Sequence, residues 1–218
     1  MEPLFTDDER ERIRAAVAAA ETQTAGEIVP YVVRQSGDYD VATWRAASAG
    51  ALLAAVVALA VAWLYDGWGL GWLYSAWALA AVMAGGGVLG ALLALLDPVR
   101  RRFSGPGLME TNVHRRAAVA FLEEEVFDTR DRTGILLFVS LFEHRIEVVG
   151  DVGINAKVAL GEWAEVVELI RAGIRRGALA DGLVEAIDRC GVLLHRSGVE
   201  IQPDDVDELP DEVRVRDE

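Results

Sequence analysis

Residues 46–65, AASAGALLAAVVALAVAWLY, and residues 72–96, WLYSAWALAAVMAGGGVLGALLALL, decide how this chain folds. Between Ala46 and Leu96 the sequence has one charged residue, Asp66. A helix crossing the hydrocarbon core of a bilayer needs roughly 20 apolar residues at about 1.5 Å each, and both blocks reach that length. The turn between them, Asp66-Gly-Trp-Gly-Leu-Gly71, is short. A domain in a chain of 218 residues has too little interior to hide two helices that are apolar on every side. Residues 45–97 are therefore expected to form a transmembrane helical hairpin, with spans at about 46–65 and 72–96, inside an otherwise soluble α/β chain.

Composition agrees with that division. The mean hydropathy is +0.24 although 26% of the residues are charged, a combination that arises when a membrane segment and a charged domain share one chain. Without the apolar region about 165 residues remain, enough for one compact domain. The formal net charge of −14 disfavours binding to nucleic acid. Residues 203–218 are acidic with little apolar content and read as a flexible, solvated tail. Cys190 is the only cysteine, so neither an internal disulfide nor a cysteine-rich metal site is expected. The N-terminal MEPLFTDDERER is acidic and without an apolar stretch, so membrane targeting is expected to come from the hairpin and not from a cleaved leader.

Charges flanking the hairpin give it a direction. Arg34 and Arg45 precede the first span, Arg100, Arg101 and Arg102 follow the second, and the turn carries no basic residue. Basic flanks stay cytoplasmic, which predicts a two-span cell-membrane protein with both termini and the folded domain on the cytoplasmic side. Trp44, Trp63, Tyr65, Trp68 and Trp72 are placed to form interfacial belts with the arginines. Gly85, Gly86, Gly87 and Gly90 in the second span permit close helix approach, either to the first span or to a helix of another membrane protein.

The soluble parts have a legible order. Thr6 and Glu9 make a capping-box pattern before a helix running to about Thr22. Glu27-Ile-Val-Pro-Tyr-Val-Val33 reads as a strand, with Pro30 suggesting an edge or a bulge. After the hairpin, Ser104-Gly-Pro-Gly107 reads as a linker and residues 112–126 as a helix. Gly134-Ile-Leu-Leu-Phe-Val-Ser140 and His144-Arg-Ile-Glu-Val-Val149 form an antiparallel hairpin, followed by amphipathic helices at about 160–175 and 178–196. The first strand cannot be stable alone, so it must pair with strands more than 100 residues later. Residues 1–44 and 98–202 are thus expected to make one discontinuous domain, a small sheet packed between helices.

Several of these segments resemble the TPM domain family. They are Arg132-Thr-Gly-Ile-Leu-Leu-Phe-Val-Ser140, Arg145-Ile-Glu-Val-Val-Gly-Asp-Val-Gly-Ile154, Trp163, Ile170, Arg176-Gly177, Gly182-Leu-Val-Glu-Ala-Ile187 and Gly191-Val-Leu-Leu194. Upstream, Thr24-Ala-Gly-Glu-Ile28 looks like that family's first strand, and Asp207-Glu-Leu-Pro-Asp-Glu212 like the end of some short members. The resemblance covers residues 6–34 and 112–196. It implies an αβα sandwich, and it brings links to divalent-metal binding, acid phosphatase activity and the assembly or repair of photosynthetic or respiratory membrane complexes. Many members carry a signal peptide and a C-terminal anchor, so internal spans are a departure from the family layout.

Candidate chemistry is sparse. Asp131 precedes the first strand of the hairpin and Asp151 follows the second, so both carboxylates should meet at one sheet edge, with Asp128 on the same loop as Asp131. Clustered carboxylates suit calcium or magnesium, whereas loop aspartates also cap turns, and Arg130 and Arg132 could neutralise the same groups. Glu123, Glu124 and Glu125 point in different directions on a helix and read as a solvated face. His114, His144 and His195 have no second ligand at helical or strand spacing. Cys190 reads as a small buried residue. The leading expectation is a membrane-anchored, non-catalytic binding module that assembles or stabilises a membrane complex, respiratory complexes included, with divalent-metal binding as a further expectation. The alternative is a metal-dependent acid phosphatase tethered to the membrane.

Overall fold

The computed structural model describes residues 3–64, 72, 75–201 and 208–216. Tyr65, Trp68 and the expected turn at 66–71 lie outside the described residues. The chain divides into two compact units, one made of residues 1–37 and 110–218, the other of residues 38–109. The first is discontinuous, as its strand pattern requires.

In that first unit, α1 (Asp7–Glu21) opens on the expected capping box: Thr6 Oγ1 accepts from the Glu9 amide at 3.3 Å, and the Thr6 amide donates to Glu9 Oε2 at 2.8 Å. Strand β1 (Glu27–Val33) follows. The chain returns through α5 (Pro106–Glu123), β2 (Gly134–Ser140) and β3 (Arg145–Gly150). The short helix α6 (Val152–Asn155), a 3₁₀ turn at Leu160–Trp163, α7 (Ala164–Arg176), α8 (Leu179–Arg196) and β4 (Arg214–Arg216) complete it. Among the described residues the sheet has four strands in the order β3-β2-β1-β4, with β1 parallel to β2 and to β4 and the β2–β3 pair antiparallel.

Period-two alternation divides β1 and β2 between two cores. Ile28, Val32, Ile135, Leu137 and Val139 pack with α1, α7 and α8 through Val17, Ile170, Leu183 and Ile187. Val29, Tyr31, Val33, Leu136 and Phe138 pack with Val113, Ala117 and Ala120 of α5. Tyr31 and Phe138 are register partners, and their rings stack with centroids 5.7 Å apart. Burial on both faces explains why these strands are almost continuously apolar.

Three local expectations are corrected. Pro30 lies in an interior strand, not at a sheet edge or bulge. Successive residues of a parallel strand address opposite neighbours, and the Glu27 amide donates to Thr133 O beside β2. Pro30 therefore faces the β4 side, where pairing begins only at Tyr31, so its missing N–H costs no ladder bond. The segment 104–107 is not an extended linker: α4 (Asp97–Ser104) and α5 are separated only by Gly105, at φ +84. The acidic terminus is not a solvated tail in its described part. Leu209 and Val213 are buried, β4 pairs with β1, and the Arg34 amide donates to Arg216 O at 3.2 Å. Two arginines make this possible, since Arg214 and Arg216 both reach Glu124 and neutralise charge that would otherwise repel the sheet.

The unit at 38–109 contains α2 (Asp40–Leu64), α3 (Ala76–Leu93) and α4. Both long helices have the length and apolarity to cross a membrane, and their most apolar windows are only 6% and 11% buried.

Candidate functional site

The two ends of the β2–β3 pair do meet at backbone level. The Asp151 amide donates to Gly134 O and the Gly153 amide to Arg132 O, both at 2.9 Å. A Cβ on Gly153 would overlap the carbonyl oxygens of Asp131 and Arg132, so this approach needs glycine. Asp151 is buried and caps α6, its Oδ1 accepting from the Val152 amide at 2.7 Å. The guanidinium of Arg132 fills the rest of that carboxylate, with Nε 2.6 Å from Oδ2 and Nη2 3.0 Å from Oδ1. This bond to Asp151, reinforced by the Asp151 and Asp128 charges, holds the Arg132 pKa above its ordinary value. Asp131 is exposed and 3.9 Å from Arg130 Nε, and Asp128 is exposed on the same loop. Of the three aspartates singled out in the sequence, Asp151 and Asp128 thus act on Arg132, whereas Asp131 lies beside Arg130. Among the described residues no group of three His, Cys, Asp or Glu side chains is placed to hold a metal ion.

Other buried polar groups had little local signature. Glu143 accepts from the Ser36 amide at 2.8 Å and from the Ser140 hydroxyl, while the Ser36 and Ser140 hydroxyls lie 2.7 Å apart. This latch ties the ends of β1 and β2 together; the polar Ser140 closing an apolar strand was its one visible sign. Glu27, buried at the start of β1, accepts from the amides of Glu208 and Leu209 at 3.3 Å, and Glu208 accepts from the Arg130 amide. Glu124 departs from the solvated face expected of the 123–125 run: it is 3.2 Å from Arg214 Nε and 3.0 Å from Arg216 Nη2. Arg116 Nη2 donates to the Tyr31 hydroxyl at 2.6 Å, while burial pushes the Tyr31 pKa up.

No candidate nucleophile emerges from Cys190. It is fully buried in α8, and desolvation pushes its thiol pKa up to about 12, which suppresses the thiolate that chemistry would need. His114 lies 3.3 Å from Glu147, His195 Nδ1 lies 3.2 Å from Gln23 O, and His144 occupies the β2–β3 turn at φ +53.

In the 38–109 unit, Trp44, Trp63 and Trp72 are strongly exposed, at 76%, 80% and 59%. Arg100 pairs with Asp97 at 3.1 Å, Arg101 is half-buried and Arg102 is exposed. The glycines divide by direction. A Cβ on Gly86 would overlap Gly50 O and the Ala54 side chain, and one on Gly90 would overlap Ala46 O, so α2 and α3 touch backbone to backbone there. A Cβ on Gly87 would make ordinary contact with Ala47 and Ala51, while one on Gly85 would point into open space.

Together these features define an α/β protein with a small mixed sheet and, inserted after its first strand, a pair of long apolar helices. A solved structure shares that fold: the NMR structure of BA42 protein from the psychrophilic bacterium Bizionia argentinensis sp. nov. superposes with a TM-score of 0.60 at 19% identity, over 99% of this chain and 98% of that one. No protein-family model matches the chain, and no curated protein matches it.

Proposed function

We propose that residues 45–97 form a transmembrane hairpin and that the α/β unit is a non-catalytic docking module, held at the cytoplasmic face, that assembles or stabilises a membrane-protein complex. The observation that carries this reading is the low burial, 6% and 11%, of two helical windows with mean hydropathies of 2.2 and 1.9. A soluble core helix of such composition would be mostly buried. Leu52, Leu53, Val56, Leu89, Leu92 and Leu95 are all exposed, and large apolar patches on a protein surface mark sites of membrane or protein contact. At roughly 25 cal/mol per Å², transfer of this surface into lipid is strongly favourable. Arg45 and Arg100–Arg102 at one end support a cytoplasmic domain.

A binding role is favoured over hydrolysis because three shielded carboxylates of the α/β unit are each held by neighbouring groups. Asp151 is held by Arg132, Glu143 by two serines, and Glu124 by two arginines. The resemblance to TPM domains supports the same reading, with respiratory complexes as one class of partner.

The test is carbonate extraction and protease protection of the full chain in native membranes, followed by purification in mild detergent. Retention in the membrane, a digestible α/β domain on the cytoplasmic side and a reproducible co-purifying complex are expected. Release by carbonate would remove the membrane part. A solitary protein that releases phosphate in the presence of magnesium or calcium would favour the phosphatase alternative.

A further inference from the structure

We infer that α4 and the start of α2 form a basic collar that binds the phosphate groups of anionic phospholipids; this rests on the transmembrane reading and deepens it. Helix α4 begins directly after Leu95 and Leu96, which are 73% and 55% exposed. Within eight residues it carries Arg100, Arg101 and Arg102 against one carboxylate, Asp97, which pairs with Arg100 at 3.1 Å. Arg45 joins them from α2: its Nη1 donates to the carbonyls of Phe103 at 3.0 Å and Ser104 at 3.2 Å, pinning the end of α4 against the start of α2. The guanidinium groups are therefore carried on two braced helices instead of a loose loop.

Depth favours lipid over a soluble anion. Trp44, 76% exposed, immediately precedes Arg45, and Ala46 begins the uncharged segment. Asp40 lies five residues before Arg45 on the same helix, about 7.5 Å further from that segment at 1.5 Å per residue. The order along α2 is thus carboxylate, aromatic, cation, apolar. That sequence places the cations at headgroup level, between exposed leucines and the aqueous side. A site for a free anion has no need of flanking exposed leucines and tryptophan. Guanidinium groups at this depth meet phosphate oxygens in a partly dehydrated layer, where charge-assisted bonds are strong.

The experiment uses the full chain in nanodiscs containing equal amounts of phosphatidylglycerol and phosphatidylcholine, with retained lipid counted by native mass spectrometry. Preferential retention of phosphatidylglycerol is expected. It should fall by up to about five-fold for each arginine removed in Arg102→Gln and in Arg101→Gln/Arg102→Gln, and persist in Arg102→Lys and in Arg175→Gln on helix α7 of the α/β unit. Equal retention of both lipids by an inserted wild-type chain would overturn the collar alone. Loss of the preference on adding inorganic phosphate, with ionic strength held constant, would assign the site to a soluble anion and also overturn it. A chain that carbonate strips from vesicles would overturn the membrane reading and the collar with it.

Discussion

Arg132 grips Asp151 through two bonds, Nε to Oδ2 at 2.6 Å and Nη2 to Oδ1 at 3.0 Å, across the mouth of the β2–β3 hairpin. The carboxylate is buried while the guanidinium is half exposed. Asp151 also caps α6, so one side chain closes the hairpin and starts the next helix. Asp151→Ala should cost at least about 1 kcal/mol from the cap, with more lost because Arg132 keeps no equivalent partner. Asp151→Asn should cost less, since it can still cap. Thermal unfolding of the three chains checks this, and an unchanged Tm in Asp151→Ala would contradict it.

The same grip sets how a cation would act at this edge. Calcium drawn to Asp131 and Asp151 must compete with the Arg132 guanidinium for the same oxygens. Calcium is expected to raise the Tm of Arg132→Gln more than that of the wild-type chain. Equal responses, including none in either chain, would take Asp151 out of any ligand set.

Cys190 gives a pH dependence with a definite sign. Burial raises its folded pKa to about 12 from an ordinary value of 9.0, so the folded state holds the proton more tightly than the unfolded chain. This contribution is fully present below pH 9 and is lost as pH rises from about 9 toward 12. Unfolding in urea should therefore show an alkaline loss of stability that is smaller in Cys190→Ala. Iodoacetamide at pH 8 should label the unfolded chain and leave the folded one unmodified. Rapid labelling of the folded protein would contradict the burial of the thiol.

What the sequence revealed depended on how local each signal was. The β2–β3 hairpin was legible because both strands and their turn lie within 17 residues, Gly134 to Gly150. The helices α7 and α8 announced themselves through apolar periodicity, and α1 through Thr6 and Glu9. Strand β4 did not, because Arg-Val-Arg has no period to read and its register partner, Tyr31 opposite Arg214, lies far away in the chain. The latch of Ser36, Ser140 and Glu143 was hidden for the same reason, being assembled from the ends of separate strands. At the aspartate edge, spacing located the two hairpin ends correctly. It could not rank a cation against Arg132, since that depends on the side-chain direction of an arginine at φ +57.

The terminal strand should therefore matter to stability. Deleting residues 208–218 removes buried Leu209 and Val213, each worth roughly 1.5–3 kcal/mol, together with the β4 ladder. A fall in Tm on the order of 10 °C is expected. Glu124→Gln, which weakens the contacts to Arg214 and Arg216 while leaving the strand in place, should lose about 2 kcal/mol. A truncated chain as stable as the full one would show that these residues add nothing to the fold.

Neighbouring glycines in α3 offer a contrast that separates packing from composition. Gly86 faces Gly50 and Ala54 so closely that a Cβ has no room, whereas a Cβ on Gly85 would meet nothing within 4 Å. Gly86→Ala must push α2 and α3 apart or shift them, at about 1–3 kcal/mol by the usual cost of overpacking. Gly85→Ala adds the same methyl group to open space and should change stability by less than ~1 kcal/mol. The spacing can be read chemically, because a Cβ on Gly87 would lie 3.7 Å from the Ala51 Cβ, within the range a disulfide spans. Ala51→Cys/Gly87→Cys should cross-link readily under mild oxidation in detergent, with buried Cys190 contributing no background. Adding Gly86→Ala should slow that cross-link, and adding Gly85→Ala should not. Equal rates in the two triple variants would mean that the helices do not meet through Gly86, and that the small residues of α3 are available to another helix instead.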